Sequence, residues 1–424
     1  MLTTSREDAK TRRPEEAEKR LKFIAPLRNE RIDATSEHTD YLGLQNIQSW
    51  TGKLLPSTTS ENSEGDDSAS GTANVFYSGD VLFGKLRPYL AKALYTEKDG
   101  VCSTELLVLN PQPGIHPRFL LYSMLSPDFV GQIDASTFGA KMPRANWEFI
   151  GSMKLPTPAY ETQRLIADYL DRETARIDAL VAEKEKMLAL LEEKRAALIS
   201  RAVTRGLDPT APLKPSGLDW LGDIPAHWAV ERAKNLFSVR DQRSESGREE
   251  LLTVSHITGV TPRSEKDVYM FQADDKTGYK LCYPGDLVVN TLWGWMGAMG
   301  TSPLPGIVSP DYHVYTSKGS LLPEYVELLC RSKPFVAEVN RWSKGVWSSR
   351  LRLYPENLFE MRLPVPPTEE QRQIISEVGT SHKKAKELTD VLQQSMTLAK
   401  ERRAALITAA VTGHIPVEEM RTCP

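Results

Sequence analysis

Cysteine is scarce in this chain of 424 residues: it occurs four times, at Cys102, Cys282, Cys330 and Cys423. No two of the four lie close together, so their spacing predicts neither a zinc site nor a disulfide framework and favours a reducing compartment. No apolar run approaches the roughly 18 residues that cross a membrane. The first twenty residues are charged and lack the apolar core of a secretory signal. We therefore expect a cytoplasmic protein without a membrane partner.

Charge of one sign and catalytic motifs are also lacking. The net charge of −3 excludes a uniformly basic nucleic-acid binder, although a local basic face is compatible with it. There is no phosphate-binding loop, dinucleotide turn, H-E-x-x-H or G-x-S-x-G motif, and the seven histidines have no ligand-like spacing. Gly294, Gly297 and Gly300 recur every three residues with tryptophan and methionine between them, which predicts a packed aromatic turn rather than a phosphate cradle. We predict no catalytic residue, no metal site and no cofactor in this chain.

The chain contains one stretch twice. Residues 154–158 (Lys-Leu-Pro-Thr-Pro) return as residues 362–366 (Arg-Leu-Pro-Val-Pro), and residues 193–199 return as residues 401–407. The offset of 208 residues (154 to 362) holds throughout this stretch, without insertion or deletion. Because loops tolerate changes of length at little cost, the constant length predicts one rigid element in each copy.

Each copy has the pattern of a long helix. Apolar residues recur alternately four and three positions apart, which is the 3.5-residue period of a coiled-coil seam. Pro158 and Pro366 stand near the first turn, and Glu161 and Glu369 lie near the positive end of the helix dipole. The predicted interface between the two helices consists of Ile166, Leu170, Ile177, Leu180, Met187, Leu191, Leu198, Ile374, Val378, Leu388, Leu392 and Leu406. The alternative is that two amphipathic helices pack on separate globular cores.

The regions before the two helices repeat more loosely. Tyr77 and Asp80 return as Tyr283 and Asp286, and we pair Arg144 with Arg350, placing two extra residues after that pair. The predicted order is a flexible N-terminus (1–19), a globular domain (20–157), a central helix (158–206), a linker with a tryptophan anchor (207–229), a second globular domain (230–365), a C-terminal helix (366–413) and a tail (414–424). A protein with two unlike globular domains on a rigid spacer is suited to bind two different targets that lie a fixed distance apart.

Several loops place Arg or Lys beside aromatic residues and glycine, and they occur at matching places in both globular halves. Arg and Lys contact phosphates, and Arg also pairs with guanine in the major groove. The residues predicted to bind DNA are Lys85, Arg87, Lys141, Arg144, Trp147, Lys344, Trp347 and Arg350. The alternative is that these loops merely face solvent.

The pattern resembles the specificity subunit of a type I restriction–modification system. The resemblance rests on residues 79–89, on Glu161, Gln163 and Arg164 with their second copy, on residues 205–208, and on the segment Trp-Leu-Gly-Asp-Ile-Pro-Ala-His-Trp at 220–228. It covers nearly the whole chain. The first twenty residues depart from it, because they lack the Trp- and Pro-rich anchor with which members commonly begin.

The resemblance implies a mixed α/β fold with an internal pseudo-twofold repeat. Two target recognition domains would each read one half of a bipartite, asymmetric site in double-stranded DNA. An antiparallel coiled-coil pair of long helices would fix the gap between the half-sites and dock two methyltransferase subunits. Those subunits would hold S-adenosylmethionine, and restriction subunits that translocate DNA would use ATP. Two alternatives remain open: an enzyme with its own methyltransferase or nuclease centre, and a coiled-coil adaptor protein without DNA readout.

Overall fold

The computed structural model describes residues 18–34, 41–55, 71–139, 141–266, 275–345 and 351–421. The chain divides into two compact units. Unit 1 comprises Met1–Lys184 and Gln394–Pro424, and unit 2 comprises Glu185–Gln393. Each unit therefore contains one globular region and a segment of both long helices. Among the described residues, no helix combines the length and the apolar character that crossing a membrane requires.

The helices are, in chain order, α1 Leu21–Ile24, α2 Pro117–Met124, α3 Pro127–Ala135, α4 Trp147–Ser152, α5 Tyr160–Arg205, α6 Ala233–Leu236, α7 Pro323–Arg331, α8 Lys333–Trp342, α9 Pro355–Glu360, α10 Thr368–Val411 and α11 Val417–Arg421. Four of them (α2, α3, α7 and α9) begin at a proline, whose fixed φ suits a first helical position.

The strands of unit 1 are β1 Glu18–Arg20, β2 Arg31–Ala34, β3 Tyr41–Leu42, β4 Gly71–Phe76, β5 Val81–Gly84, β6 Ala93–Tyr95, β7 Gly100–Cys102, β8 Leu106–Leu109 and β9 Lys154–Pro156. One sheet has the order β2-β4-β7-β3, with β3 parallel to β7, and a second has the order β6-β5-β8. All residues of β5 and β8 are buried. This explains their unbroken apolar runs, since both faces of these strands are covered.

The strands of unit 2 are β10 Leu213–Pro215, β11 Asp223–Pro225, β12 Ala229–Arg232, β13 Phe237–Arg240, β14 Leu252–Ser255, β15 Gly259–Pro262, β16 Lys280–Cys282, β17 Leu287–Asn290, β18 Met299–Thr301, β19 Gly306–Val308, β20 Tyr312–Ser317 and β21 Arg362–Val365. The largest sheet has the order β13-β20-β17-β18. Strand β17 is buried along its whole length, as β5 is in unit 1.

The two long helices, α5 with 46 residues and α10 with 44, pack together within each unit. In unit 1 a buried cluster joins the start of α5 to the end of α10 through Ile166, Ala167, Leu170, Ile407, Ala410 and Val411. In unit 2 the end of α5 joins the start of α10 through Ile199, Ala202, Val203, Ile374 and Val378. Start meets end in both units, so the helices run antiparallel. The predicted fold class is confirmed.

Near the ends of the two long helices, the buried residues are those predicted for the helix interface. Nearer the middle of the helices, some of the predicted residues are exposed. Ile166, Leu170, Ile374, Val378 and Leu392 are buried, and Ile177, Leu191, Leu198 and Leu406 are partly buried. Leu180 is 50% exposed, and Met187 and Leu388 are each 41% exposed. The adjacent Val181 and Leu188 are more buried than Leu180 and Met187. The departure has a geometric reason, because a straight helix drifts about 20° per heptad from a strict 3.5-residue repeat. The full interface remains a prediction.

The duplicated glutamine explains why the two helix starts are alike. Gln163 is buried in unit 1, and its Oε1 accepts a hydrogen bond from the His116 backbone N–H at 2.8 Å. Its Nε2 donates to the carbonyls of Gly114 at 3.0 Å and Pro158 at 2.7 Å. One side chain thus ties the first turn of α5 to the loop before α2.

Gln371 makes the same three bonds in unit 2. Its Oε1 accepts from the Leu322 N–H at 2.8 Å, and its Nε2 donates to the carbonyls of Ser320 at 3.0 Å and Pro366 at 2.9 Å. The repeated sequence therefore encodes a repeated contact that fixes each globular region to its own long helix.

The chain ends of the two globular regions also dock alike. Strand β1 pairs antiparallel with β9, and β12 pairs antiparallel with β21. The tryptophan anchor predicted after α5 lies in the core of unit 2, where Trp228 is buried and its Nε1–H donates to Glu370 at 2.8 Å. In unit 1, Ile415 and Met420 pack against α5 at the corresponding place after α10.

Candidate nucleic-acid interface

In unit 1 the loop before α4 lies against the turn that follows β5. Phe138 and Arg144 pair across the loop as an isolated antiparallel bridge. The Arg87 N–H donates to the Pro143 carbonyl at 2.8 Å, and the Ala145 N–H donates to the Lys85 carbonyl at 2.9 Å. These bonds bring the predicted residues Lys85, Arg87 and Arg144 to one edge of the unit, and Lys141 lies on the same loop.

Arg87 has a backbone φ of 50°, in the left-handed region that a side chain rarely occupies. Such a conformation costs about 1–3 kcal/mol and is found where the surroundings impose it, often at functional sites. Here the bond to Pro143 and the following 3-10 turn, Pro88–Leu90, hold the backbone. The Arg87 side chain is exposed.

A cationic groove of about 420 Å³ opens beside this loop. Its charged lining residues are Arg28, Arg31, Lys85 and Arg144; the described residues that line it include no acid. Arg144 also forms a two-pronged ion pair with Glu105, at 3.1 and 3.2 Å, and this bond raises the pKa of the guanidinium. Lys85 forms no ion pair within the described part of the chain. The groove therefore offers cations suited to an anionic backbone.

A partly buried ion pair holds Arg28 at the wall of the groove. Arg28 binds both carboxylate oxygens of Asp80, at 2.9 and 3.1 Å, and lies over the ring of Tyr77 at 4.7 Å. Hydrogen bonding to Asp80 raises the pKa of Arg28. Unit 2 repeats the arrangement with Arg240, Asp286 and Tyr283. The repeated Tyr-x-Gly-Asp sequence signalled the acid and the tyrosine, but the arginine partner, far away in the chain, was missed.

In unit 2 the corresponding loop is pinned by a bridge between Lys344 and Arg352. Helices α4 and α9 follow the two loops at an offset of 208 residues (147 to 355). The two extra residues therefore lie between Gly345 and Arg352, before α9, and the structural counterpart of Arg144 is Arg352 rather than Arg350. The pairing predicted from the sequence is wrong because the insertion lies inside a loop whose residue types do not mark it.

The remaining residues predicted to bind DNA differ in their exposure. Lys141 and Lys344 are exposed, and Trp147 is partly buried at the start of α4. Trp347 and Arg350 lie outside the described residues. Contact of any of these residues with DNA stays a prediction.

A second cationic cleft, of about 580 Å³, lies in unit 2 and was not predicted from the sequence. It is lined by Arg248, Arg263, Lys266 and Lys276, together with Glu249 and Glu250. Its cations come from separate loops and carry no local motif, so only the fold brings them together.

Comparisons with known proteins bear on this site. A family model described as the type I restriction modification DNA specificity domain matches residues 14–189. The chain is 25% identical over 194 residues to the "Type I restriction enzyme EcoDI specificity subunit" of Escherichia coli. This alignment covers 46% of this chain and 38% of that protein. It is 24% identical over 152 residues to the "Type I restriction enzyme MjaVIII specificity subunit" of Methanocaldococcus jannaschii. This second alignment covers 35% of this chain and 33% of that protein. The matches thus span about a third of these relatives.

Two solved structures share the fold over most of the chain. One, from a study of the "complex assembly" and "conformational transition of the type I R-M system", has a TM-score of 0.69 at 18% identity and covers 94% of this chain and 98% of its own. The other, the "HsdS subunit from Thermoanaerobacter tengcongensis", has a TM-score of 0.51 at 18% identity and covers 96% and 99%. The resemblance predicted from the sequence is confirmed.

Proposed function

Since residues 14–189 of this chain match the family model of the type I restriction modification DNA specificity domain, we propose that the chain is the DNA-recognition subunit of a type I restriction–modification complex. Each unit reads one half of a bipartite site in double-stranded DNA. The chain makes and breaks no covalent bond itself. The observation that carries the proposal is the duplication: two globular regions are fixed by the same glutamine contact to the starts of two antiparallel helices.

The two halves of the site differ in sequence, because the exposed residues of the two units differ. Unit 1 offers Lys85, Arg87 and Arg144 around a groove without acids among its described lining residues. Unit 2 has uncharged residues in the turn after β17, and its cations lie on other loops. Unlike surfaces on a repeated scaffold suit an asymmetric target, just as identical surfaces of a dimer suit a palindrome.

The helix pair sets the gap between the half-sites and docks two methyltransferase subunits. Both long helices expose large apolar side chains, which partner helices would cover. In unit 1 these include Leu180 and Leu398, and in unit 2 they include Leu190 and Val391. The methyltransferase subunits supply S-adenosylmethionine chemistry, and restriction subunits that use ATP join the same complex in the cytoplasm.

The test begins with methylation mapping of genomic DNA from cells with and without this gene, which identifies the site. Full-length protein is then titrated with the intact duplex and with duplexes in which one half-site is scrambled. Lys85→Ala and Lys141→Ala should each weaken binding and lower the slope of log K against log salt by about 0.9 for each phosphate that is no longer neutralised. Lys98→Ala, an exposed lysine in the turn before β7, is the matched control and should change neither.

Two results would overturn the proposal. If binding shows no preference for the mapped site and no salt dependence, the chain is better described as a coiled-coil adaptor. If the isolated chain methylates or cleaves DNA, it is an enzyme in its own right.

The spacer role has a separate test. Deleting seven residues from the middle of both α5 and α10 keeps the heptad register and removes about 10 Å of helix. The mapped gap should then shorten by about three base pairs, or assembly with the methyltransferase subunits should fail. An unchanged gap in an assembled complex would refute the spacer role.

A further inference from the structure

The turn after β17 exposes a ridge of apolar side chains. Trp293 is 50% exposed, Leu292 41% and Met296 38%. The ring of Trp295 stacks against that of Trp293, with centroids 6.3 Å apart and an angle of 29° between the planes. The sequence has no charged residue from position 287 to position 310. A contiguous exposed apolar ridge on a soluble domain marks a binding surface.

The ridge is exposed because of how the turn is built, and the turn is held firmly. The Gly297 N–H donates to the Gly294 carbonyl at 2.7 Å, and the Ala298 N–H donates to the Trp293 carbonyl at 3.1 Å. Gly297 has a φ of 89°, and a Cβ placed on it would lie 3.0 Å from Val336 of α8. The backbone is thus packed directly on its neighbours, while the Trp293 side chain projects from a rigid support.

The same turn in unit 1 carries cations. There Lys85 and Arg87 follow β5, and the 3-10 turn Pro88–Leu90 corresponds to Gly294–Met296 in unit 2. Ala91 and Gly297 close the two turns with left-handed backbones. The two turns therefore occupy equivalent positions in the two units, on the edge proposed to face DNA.

Cations lie close to the aromatic turn as well. A Cβ on Gly294 would lie 3.6 Å from the Cβ of Leu353, the residue after Arg352. Lys344 is bridged to Arg352, and this isolated backbone bridge brings both residues to the side of the turn on which Leu353 lies. An apolar ridge next to cations matches a duplex, whose bases are apolar on their faces and whose backbone is anionic.

Resting on the proposed function, we propose that Trp293 is the base-stacking residue of unit 2. Its indole inserts against a base step of the second half-site, with Trp295 supporting it from behind. Apolar wedges of this kind partly unstack the step they enter. Pyrimidine–purine steps unstack most readily, so the second half-site should contain such a step where Trp293 contacts it.

The experiment uses full-length protein and duplexes that carry the methylation-mapped site, with 2-aminopurine placed in turn at each adenine of both half-sites. Binding of the wild-type protein should raise the fluorescence at one position of the second half-site only. Trp293→Ala should abolish that rise and weaken binding about 5- to 150-fold, the range that stacking of one base on an aromatic ring supplies. The salt slope should not change, since the variant neutralises as many phosphates as the wild type does.

Three further variants complete the design. Trp293→Phe should retain most of the affinity and of the fluorescence rise, because it keeps an aromatic face. Ile257→Ala removes an exposed apolar side chain from the β14–β15 hairpin and should change neither. Lys344→Ala should lower the salt slope without abolishing the rise. Thermal unfolding of each variant within about 2 °C of wild type establishes that the fold is intact.

The outcomes separate the two proposals. If Trp293→Ala binds as wild type does, or if no 2-aminopurine position responds to the wild-type protein, the stacking role is wrong, even though preference for the mapped site remains. If Trp293→Ala instead loses binding to the methyltransferase subunit and keeps its DNA affinity, the ridge is a protein-docking surface and the inference is equally refuted. If the wild-type protein does not prefer the mapped site at all, the proposed function itself fails.

Discussion

Replacing Gln371 by alanine should be among the most damaging single changes in unit 2, although the residue lies at the start of a long surface helix. The side chain is fully buried and makes three hydrogen bonds to backbone groups of Ser320, Leu322 and Pro366. Alanine removes all three bonds and leaves one N–H and two carbonyls without a partner. Each orphaned buried group costs about 1–3 kcal/mol. Allowing for partial relaxation, we expect a destabilisation of about 3–4 kcal/mol.

For a unit of this size, about 1 kcal/mol corresponds to a shift of about 2–4 °C in Tm. Gln371→Ala should therefore lower the midpoint of unit 2 by about 6–16 °C in differential scanning calorimetry. Gln373→Ala, an exposed glutamine on the same helix, is the matched control and should stay within about 0.5 kcal/mol of wild type. Gln163→Ala should destabilise unit 1 by an equal amount. A destabilisation below about 1 kcal/mol for Gln371→Ala would show that the three bonds do not hold the globular region of unit 2 to its helix.

Two further changes test other buried contacts. Arg403 of α10 is buried in unit 1, where it donates hydrogen bonds to Asp178 at 2.9 Å and to the Trp50 carbonyl at 2.7 Å. Arg403→Ala should lower the free energy of unfolding by about 3 kcal/mol, measured by thermal unfolding. Arg403→Lys, which cannot make both bonds, should not restore the wild-type stability. Full stability of either variant would contradict that expectation. His116 is buried, and burial lowers its pKa below the ordinary value of 6.5. Its contribution to stability is thus complete above about pH 6.5 and is lost as the pH falls towards the lowered folded-state pKa. The free energy of unfolding of His116→Gln should therefore fall less steeply than that of the wild type as the pH drops below about 6.5. An unchanged pH profile would show that another group controls acid stability.

The long helices could be predicted from the sequence because their evidence is local and repeated. The 3.5-residue apolar period and a constant offset across two copies need no tertiary information. The precise seam was less predictable. Leu180 and Val181 are both apolar neighbours, and only the actual helix geometry decides which of them turns inward.

The cationic surface of unit 1 was predictable only in part. Lys85 and Arg144 were singled out because cations stand beside aromatic residues in their own segments, and their contact with DNA stays a prediction. The Arg28–Asp80 ion pair and the second cationic cleft were missed, since their members are far apart in the chain and meet only after strands pair. The alignment of the loop before α9 with its counterpart in unit 1 was wrong because residue types do not show where an insertion lies inside a loop. The bridge to Lys344 identifies Arg352 as the counterpart of Arg144.

The two units share several buried contacts but differ in their exposed residues. Gln163 and Gln371 make the same three buried bonds, and Asp80 and Asp286 hold the same kind of arginine. The turns after β5 and β17 both contain a 3-10 turn that a left-handed residue closes, yet one exposes Arg87 and the other exposes Trp293. A scaffold whose buried contacts are duplicated can place two unlike surfaces in equivalent positions, because the exposed residues contribute little to the fold. We therefore propose that exchange of the exposed turn alone changes what one unit binds and leaves the other unit unaffected.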